Sequence, residues 1–157
     1  MRDNTTRGVL AEFLVARALA DASKRREGWA YHDVLTPTEI RVEVKNSGLL
    51  QSWSQKRLST PVFSRLTGRA WDPNTTEWGE TREIRADVFV FAIQTCTEPS
   101  QYDVLDLAQW EFYVVPAEAI GTVAARSINL ATLRRVAPAC VSIEDLPGAV
   151  EAAHRDQ

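Results

Sequence analysis

The sequence predicts an α/β (α+β) protein with a mixed central β-sheet flanked by helices. Three stretches carry that reading. Residues 40–45 alternate strictly, with Ile40, Val42 and Val44 on one face and Arg41, Glu43 and Lys45 on the other, the period of a half-buried strand. Residues 86–93, Ala-Asp-Val-Phe-Val-Phe-Ala-Ile, are almost continuously apolar, as in a strand covered on both faces, with Asp87 at its entrance. Residues 9–20 are rich in helix formers and hold no breaker.

Taken in order, the helix at 9–20 is apolar nearly all round and should be largely buried. At about 100° per residue, Glu12 falls between Ala16 and Leu19, inside an apolar sector. A carboxylate there is costly unless it is paired, hydrogen-bonded or bound to a metal. Lys24-Arg25-Arg26 follows at the helix C-terminal end, where cations suit the dipole, and Gly28 permits the turn into Trp29. Residues 29–34 are strand-like and Thr36-Pro37-Thr38-Glu39 is turn material, so a β-hairpin is expected. Asp33 lies on one arm, Glu43 and Lys45 on the other.

Register decides what that hairpin can do. An odd loop such as residues 37–39 sets Asp33 opposite Glu43, with Cβ atoms roughly 5 Å apart. Two carboxylates so close need a cation between them or a raised pKa. An even loop pairs Asp33 with Val42 instead and leaves an ordinary solvated strand face.

Asn46-Ser47-Gly48 breaks the strand, and residues 49–58 read as a short helix on which Gln51 and Gln55 share a face, as do Trp53 and Arg57. Residues 61–63 form a short extended piece. Residues 68–82 look like a polar, irregular loop whose Trp71 and Trp78 either stack on nucleobases or cover the core. After a loop at 94–108, residues 109–115 make another strand and Pro116 opens a short helix ending near Gly121. Residues 128–136 fit no single assignment. Ser142-Ile-Glu-Asp145 has capping-box spacing and should start the last helix, which runs towards His154.

With 157 residues, 45% apolar and 25% charged, the chain suits one domain with a proper core, 1–157. No apolar run approaches the ~20 residues of a membrane span. Met1-Arg-Asp-Asn-Thr-Thr6 lacks the apolar core of a signal peptide, and Cys96 and Cys140 read as reduced core residues, so a cytoplasmic protein is expected. The net charge of −3 argues against a nucleic-acid partner, but its distribution does not. Residues 1–70 hold 12 Lys and Arg against 7 Asp and Glu, a balance of +5, whereas residues 71–157 stand at −8. Between Arg41 and Arg69, six cations face the single anion Glu43, a local surface suited to a polyanion.

A helix bearing Glu12, then Asp33, then Glu43-Val44-Lys45 ending a strand resembles the active-site core of the PD-(D/E)XK, or restriction-endonuclease-like, nucleases. The order is most similar to the Holliday-junction-resolvase-like branch, over about residues 5–115, with a C-terminal extension at 116–157. His32 stands where that family often has proline, and alternation points it away from Asp33. The resemblance implies a Mg²⁺-dependent DNA nuclease, an endonuclease, with Mn²⁺ able to substitute and no small-molecule cofactor. Asp33, Glu43 and the Val44 backbone carbonyl would hold the metal, a hard cation suited to oxygen donors. Glu12 would complete that shell or bind a second ion. Lys45 would orient the attacking water or stabilise charge in the transition state. Gln55 would contact that water or a phosphate, and Lys56, Arg57, Arg65 and Arg69 would grip phosphates without reading sequence. A homodimer would place two sites on two strands. A catalytically inactive nucleic-acid-binding or protein-interaction module on the same fold is the competing expectation.

Overall fold

The computed structural model describes residues 3–20, 32–72, 77–123 and 126–156. In chain order its elements are α1 (Asn4–Ala18), β1 (Val34–Leu35), β2 (Arg41–Gly48), β3 (Val62–Ser64), β4 (Gly68–Asp72), β5 (Glu77–Glu83) and β6 (Val88–Gln94). After these come β7 (Trp110–Pro116), α2 (Ala117–Val123), β8 (Ser127–Asn129), α3 (Leu130–Val136) and α4 (Leu146–Arg155). The central sheet runs β1-β2-β6-β7; β2 and β6 are parallel and the two outer pairings antiparallel, so the sheet is mixed, as expected.

Every residue of β6 is buried, because the strand is covered on both faces. Val88, Val90 and Ala92 pack with Ala11 and Val15 of α1 and with Leu146 and Val150 of α4. Phe89, Phe91 and Ile93 face the opposite layer, where Phe63 of β3, Ile120 of α2, Ile128 of β8 and Leu133 of α3 meet. Each such side chain contributes roughly 1.5–3 kcal/mol when fully buried. The same alternation governs β2. Val42 and Val44 join the α1–α4 layer, so Glu43 and Lys45, in register with Phe89 and Phe91, face the other way.

Several expectations need correction. Helix α1 starts five residues earlier than the apolar run, because the Asp3 side chain caps it by accepting from the Thr6 amide at 2.9 Å. It is not buried all round: Arg7, Gly8, Ala11 and Val15 face inward, while Val9 and Phe13 are more than half exposed. Residues 21–31, including Lys24-Arg25-Arg26, Gly28 and Trp29, lie outside the described residues. Residues 68–82 are not an irregular loop but the hairpin β4–β5, with Trp71 opposite Trp78 and Arg69 opposite Arg82. A bulge between Arg69 and Trp71 breaks the alternation that would have revealed it. Residues 128–136 divide into β8, which pairs with β3, and α3, capped by Asn129. Ser142 and Asp145 do bond each other, through Ser142 Oγ, but as a turn ahead of α4, whose first helical residue is Leu146. Cys96 is half-buried and Cys140 exposed; both are free and neither is in the core. Among the described residues no helix is long and apolar enough to cross a membrane.

Candidate functional site

The loop between β1 and β2 fixes the register. Val34 pairs with Val42 and Leu35 with Arg41. The Thr36 amide donates to Ile40 O at 3.1 Å, which leaves the odd, three-residue loop 37–39. The Glu39 amide donates back to Thr36 O, and Glu39 then takes a left-handed φ of 65°. This is the usual three-residue hairpin, a tight turn followed by one αL residue. The paired register ends at Val34 and Val42, one residue short of Asp33.

Beyond Val34 the ladder becomes irregular. The Asp33 amide donates to Val42 O at 3.0 Å, and its carboxylate Oδ2 accepts from the Val44 amide at 2.8 Å. In an extended strand the N–H and C=O of one residue turn to the same side. The Val44 carbonyl is therefore directed to the edge where β1 has ended. Lys45 Nζ lies 2.6 Å from Glu43 Oε1, and both side chains are mostly buried, at 16% and 24% exposure. Each carboxylate thus has a compensating partner, a backbone amide for Asp33 and an ammonium for Glu43.

Asp33, Glu43, Val44, Lys45 and the half-buried Glu12 of α1 line one open cleft of about 1100 Å³. Arg65 and Arg69 line the same cleft, and Arg82 and Arg85 join them. Arg69 and Arg82 are directly opposed on the β4–β5 hairpin, an arrangement that destabilises a sheet unless an anion balances it. Arg65 also holds a left-handed φ of 59°. Sequence reasoning missed Arg82 and Arg85 because they lie in the acidic half of the chain. The signal lay in the spatial pairing of β4 with β5.

Gln55 does not join the cleft. Residues 49–59 form turns instead of a helix, and the Gln55 amide ties them together. Its Oε1 accepts from the Gln51 amide at 2.6 Å, and its Nε2 donates to Leu49 O at 3.2 Å and Ser59 Oγ at 3.0 Å. A side chain offering both a donor and an acceptor to the backbone competes directly with helix hydrogen bonds. Lys56 and Arg57 are also outside the cleft; they line a second cavity of about 380 Å³. Trp53, Ser59 and Gln51 of this loop do reach the cleft, and of these Gln51 is 6% exposed. Its Nε2 donates to Gly48 O at 3.0 Å, which settles the orientation of the amide, and its buried Oε1 has no partner among the described residues. A buried acceptor left in that state costs about 1–3 kcal/mol and calls for a donor.

The loop is anchored from below by Arg7, 1% exposed. It donates to Leu50 O at 3.2 Å and to the side-chain oxygens of Asn46 and Asn4. His32 does not line the cleft; its buried Nδ1 has no partner among the described residues.

The donor set suits a hard cation in a limited way. Among the described residues no three His, Cys, Asp or Glu side chains form a group that could hold a metal ion. Asp33, Glu43 and the Val44 carbonyl remain, two carboxylates and a carbonyl, a set a water-retaining ion such as Mg²⁺ accepts.

At the start of β2, Arg41 and Asp87 form a second pair. The Arg41 amide and Nε donate to Asp87 Oδ2 at 2.8 and 3.0 Å, and Nη2 lies 2.5 Å from Oδ1. The Arg41 hydrogen bonds hold the Asp87 carboxyl below its ordinary pKa.

No protein-family model matches the chain, and no curated protein matches it either. The solved structure of a bacterial homing endonuclease, I-Ssp6803I, is similar at a TM-score of 0.46 and 17% identity, over 81% of this chain and 77% of that one. A likeness that loose has no bearing on which residues act.

Proposed function

We propose that the chain is a metal-dependent nuclease of the PD-(D/E)XK type that hydrolyses phosphodiester bonds of DNA, cutting within strands. One observation carries the reading: Asp33, Glu43 and Lys45 line a single cleft with Arg65, Arg69, Arg82 and Arg85.

In this reading Asp33, Glu43 and the Val44 carbonyl would hold Mg²⁺, or Mn²⁺ in its place, with Glu12 as an outlying acid in the same cleft. The bound ion would supply Lewis acidity and an activated water. The protein's own groups do the rest. Lys45 exchanges its contact with Glu43 for the phosphoryl oxygens, where its charge stabilises the transition state. The four arginines hold the flanking phosphates and so position the backbone without reading sequence. The unpartnered Gln51 Oε1 accepts a hydrogen bond from a water in the cleft and orients it.

The test is cleavage of plasmid and branched DNA with Mg²⁺, for the wild type and for Glu43→Ala and Lys45→Ala. The wild type is expected to cut and both variants to lose activity. Wild-type cleavage no faster than that of the variants rules out catalysis at this site. One observation favours a second reading, a nucleic-acid-binding module without turnover: among the described residues no three acids form a metal-binding group. That module would bind DNA equally well in EDTA and with Asp33→Ala, and would cut nothing.

A further inference from the structure

Trp53 is 60% exposed, and it is the residue that the two cavities share. On one side of it lies the cleft with Asp33, Glu43 and Lys45; on the other lies the smaller cavity with Lys56 and Arg57. The loop that carries it is not slack. Gln55 bonds Gln51 N, Leu49 O and Ser59 Oγ, and the Ser59 amide closes the loop by donating to Leu49 O at 2.9 Å. A loop tied across its base in this way holds its largest apolar side chain out in solvent, between carboxylates and cations, where neither layer of the core covers it.

We propose that Trp53 is a stacking platform for an unpaired base next to the scissile phosphate. The strand then continues over it into the Lys56–Arg57 cavity. The proposal rests on the nuclease reading and narrows its substrate to DNA that is single-stranded on that flank, such as a flap, branch or overhang. The reason is geometric. An indole stacks on the face of a base, and within an intact duplex both faces of each base are already covered by neighbours. Lys56 and Arg57 supply the charge that tracks the backbone on the far side of the ring, the usual accompaniment to a stacking aromatic in single-strand sites. The placement also gives these two cations a role outside the cleft.

The experiment measures binding of a labelled single-stranded DNA oligonucleotide, and of the same sequence in a blunt duplex, by anisotropy in EDTA so that no cleavage intervenes. Trp53→Ala is expected to weaken single-strand binding about 5- to 150-fold, the range for losing one stacked base. Duplex binding should change less than about twofold, and Trp53→Phe should retain most of the affinity. Because the ring is exposed, the fold should tolerate both changes, which circular dichroism checks. Equal losses on single strand and duplex, or no loss on either, overturn the proposal; the second result would suit a protein partner at Trp53. Trp53-dependent single-strand binding without any Mg²⁺-dependent cleavage leaves the platform standing and sinks the nuclease reading. Glu43-dependent cleavage with binding indifferent to Trp53 does the reverse.

Discussion

Arg41–Asp87 and Lys45–Glu43 lie on one strand, the first at its start and the second in its middle, and are built from the same kinds of side chain, yet they differ in what surrounds them. Arg41 clamps both oxygens of Asp87 and adds its own backbone amide, so the pair fastens β2 to the chain entering β6. Lys45 meets Glu43 two residues away on its own strand, in a cleft shared with Glu12, Asp33 and four arginines. A bridge between neighbours on one strand ties no elements together. The first pair closes a structural joint and the second faces the substrate space. What separates them is position on the sheet, since residue type is nearly the same.

The sharpest way to break that contrast is to neutralise one carboxylate in each pair. Glu43→Gln is expected to slow Mg²⁺-dependent DNA cleavage by at least about 100-fold, the scale of losing an electrostatic group at a reacting centre. Its melting temperature should stay close to the wild-type value. Asp87→Asn is expected to do the opposite, leaving cleavage per folded molecule unchanged while lowering the unfolding free energy by about 1 kcal/mol at neutral pH, measured in urea. If both variants lose activity alike, the two pairs are not distinct.

A smaller effect follows from pH. Arg41 depresses the Asp87 pKa below the ordinary 3.8. A depressed carboxyl contributes stability that is fully present above that ordinary value and is lost as pH falls through the lower, folded one. The stability gap between wild type and Asp87→Asn should therefore hold from neutral pH down to about 4 and close below it. Urea titrations across that interval give the answer, and a gap that widens in acid contradicts the assignment.

The smallest expected change concerns the hairpin that carries Asp33. Glu39 holds φ at 65°, a conformation that glycine adopts at no steric cost. Glu39→Gly should stabilise the protein by about 0.5 kcal/mol, the relief of strain being partly offset by a more flexible unfolded chain. Cleavage should be unaffected, because the register does not change. A calorimetric scan that shows a lower melting temperature would mean that the Glu39 side chain makes a compensating contact.

How much of this was legible in the sequence depended on whether the signal was local. The alternation of residues 40–45 was legible, although the strand runs on through Asn46-Ser47-Gly48, which the sequence suggests would break it. A strand covered on both faces, expected at 86–93, is found at 88–94, because side-chain period follows directly from strand geometry. The hairpin register turns on a single loop residue, which the sequence leaves open. The helix expected at 49–58 failed because Gln55 satisfies backbone groups that a helix would have used, and nothing in the spacing of Gln51 and Gln55 signals that. The hairpin at 68–83 was missed for a similar reason, a bulge that disrupts the period. Counting charge by chain halves found Arg65 and Arg69 but excluded Arg82, which pairing returns to the cleft beside Arg69.

The sequence by itself determined that Glu43 and Lys45 share the polar face of a buried strand and that Asp33 precedes them on a hairpin arm. It determined as well that a strand covered on both sides lies at the centre. Only the tertiary structure decided that the Asp33 carboxylate bonds the Val44 amide, that Glu12 and Gln51 open onto the same cleft while Gln55 does not, and that Trp53 is held between two cavities. The physical reason is that alternation and apolar runs are properties of adjacent residues. A site instead collects groups from a helix, a strand edge, a tied loop and a second hairpin, whose meeting is fixed by packing on both faces of the sheet.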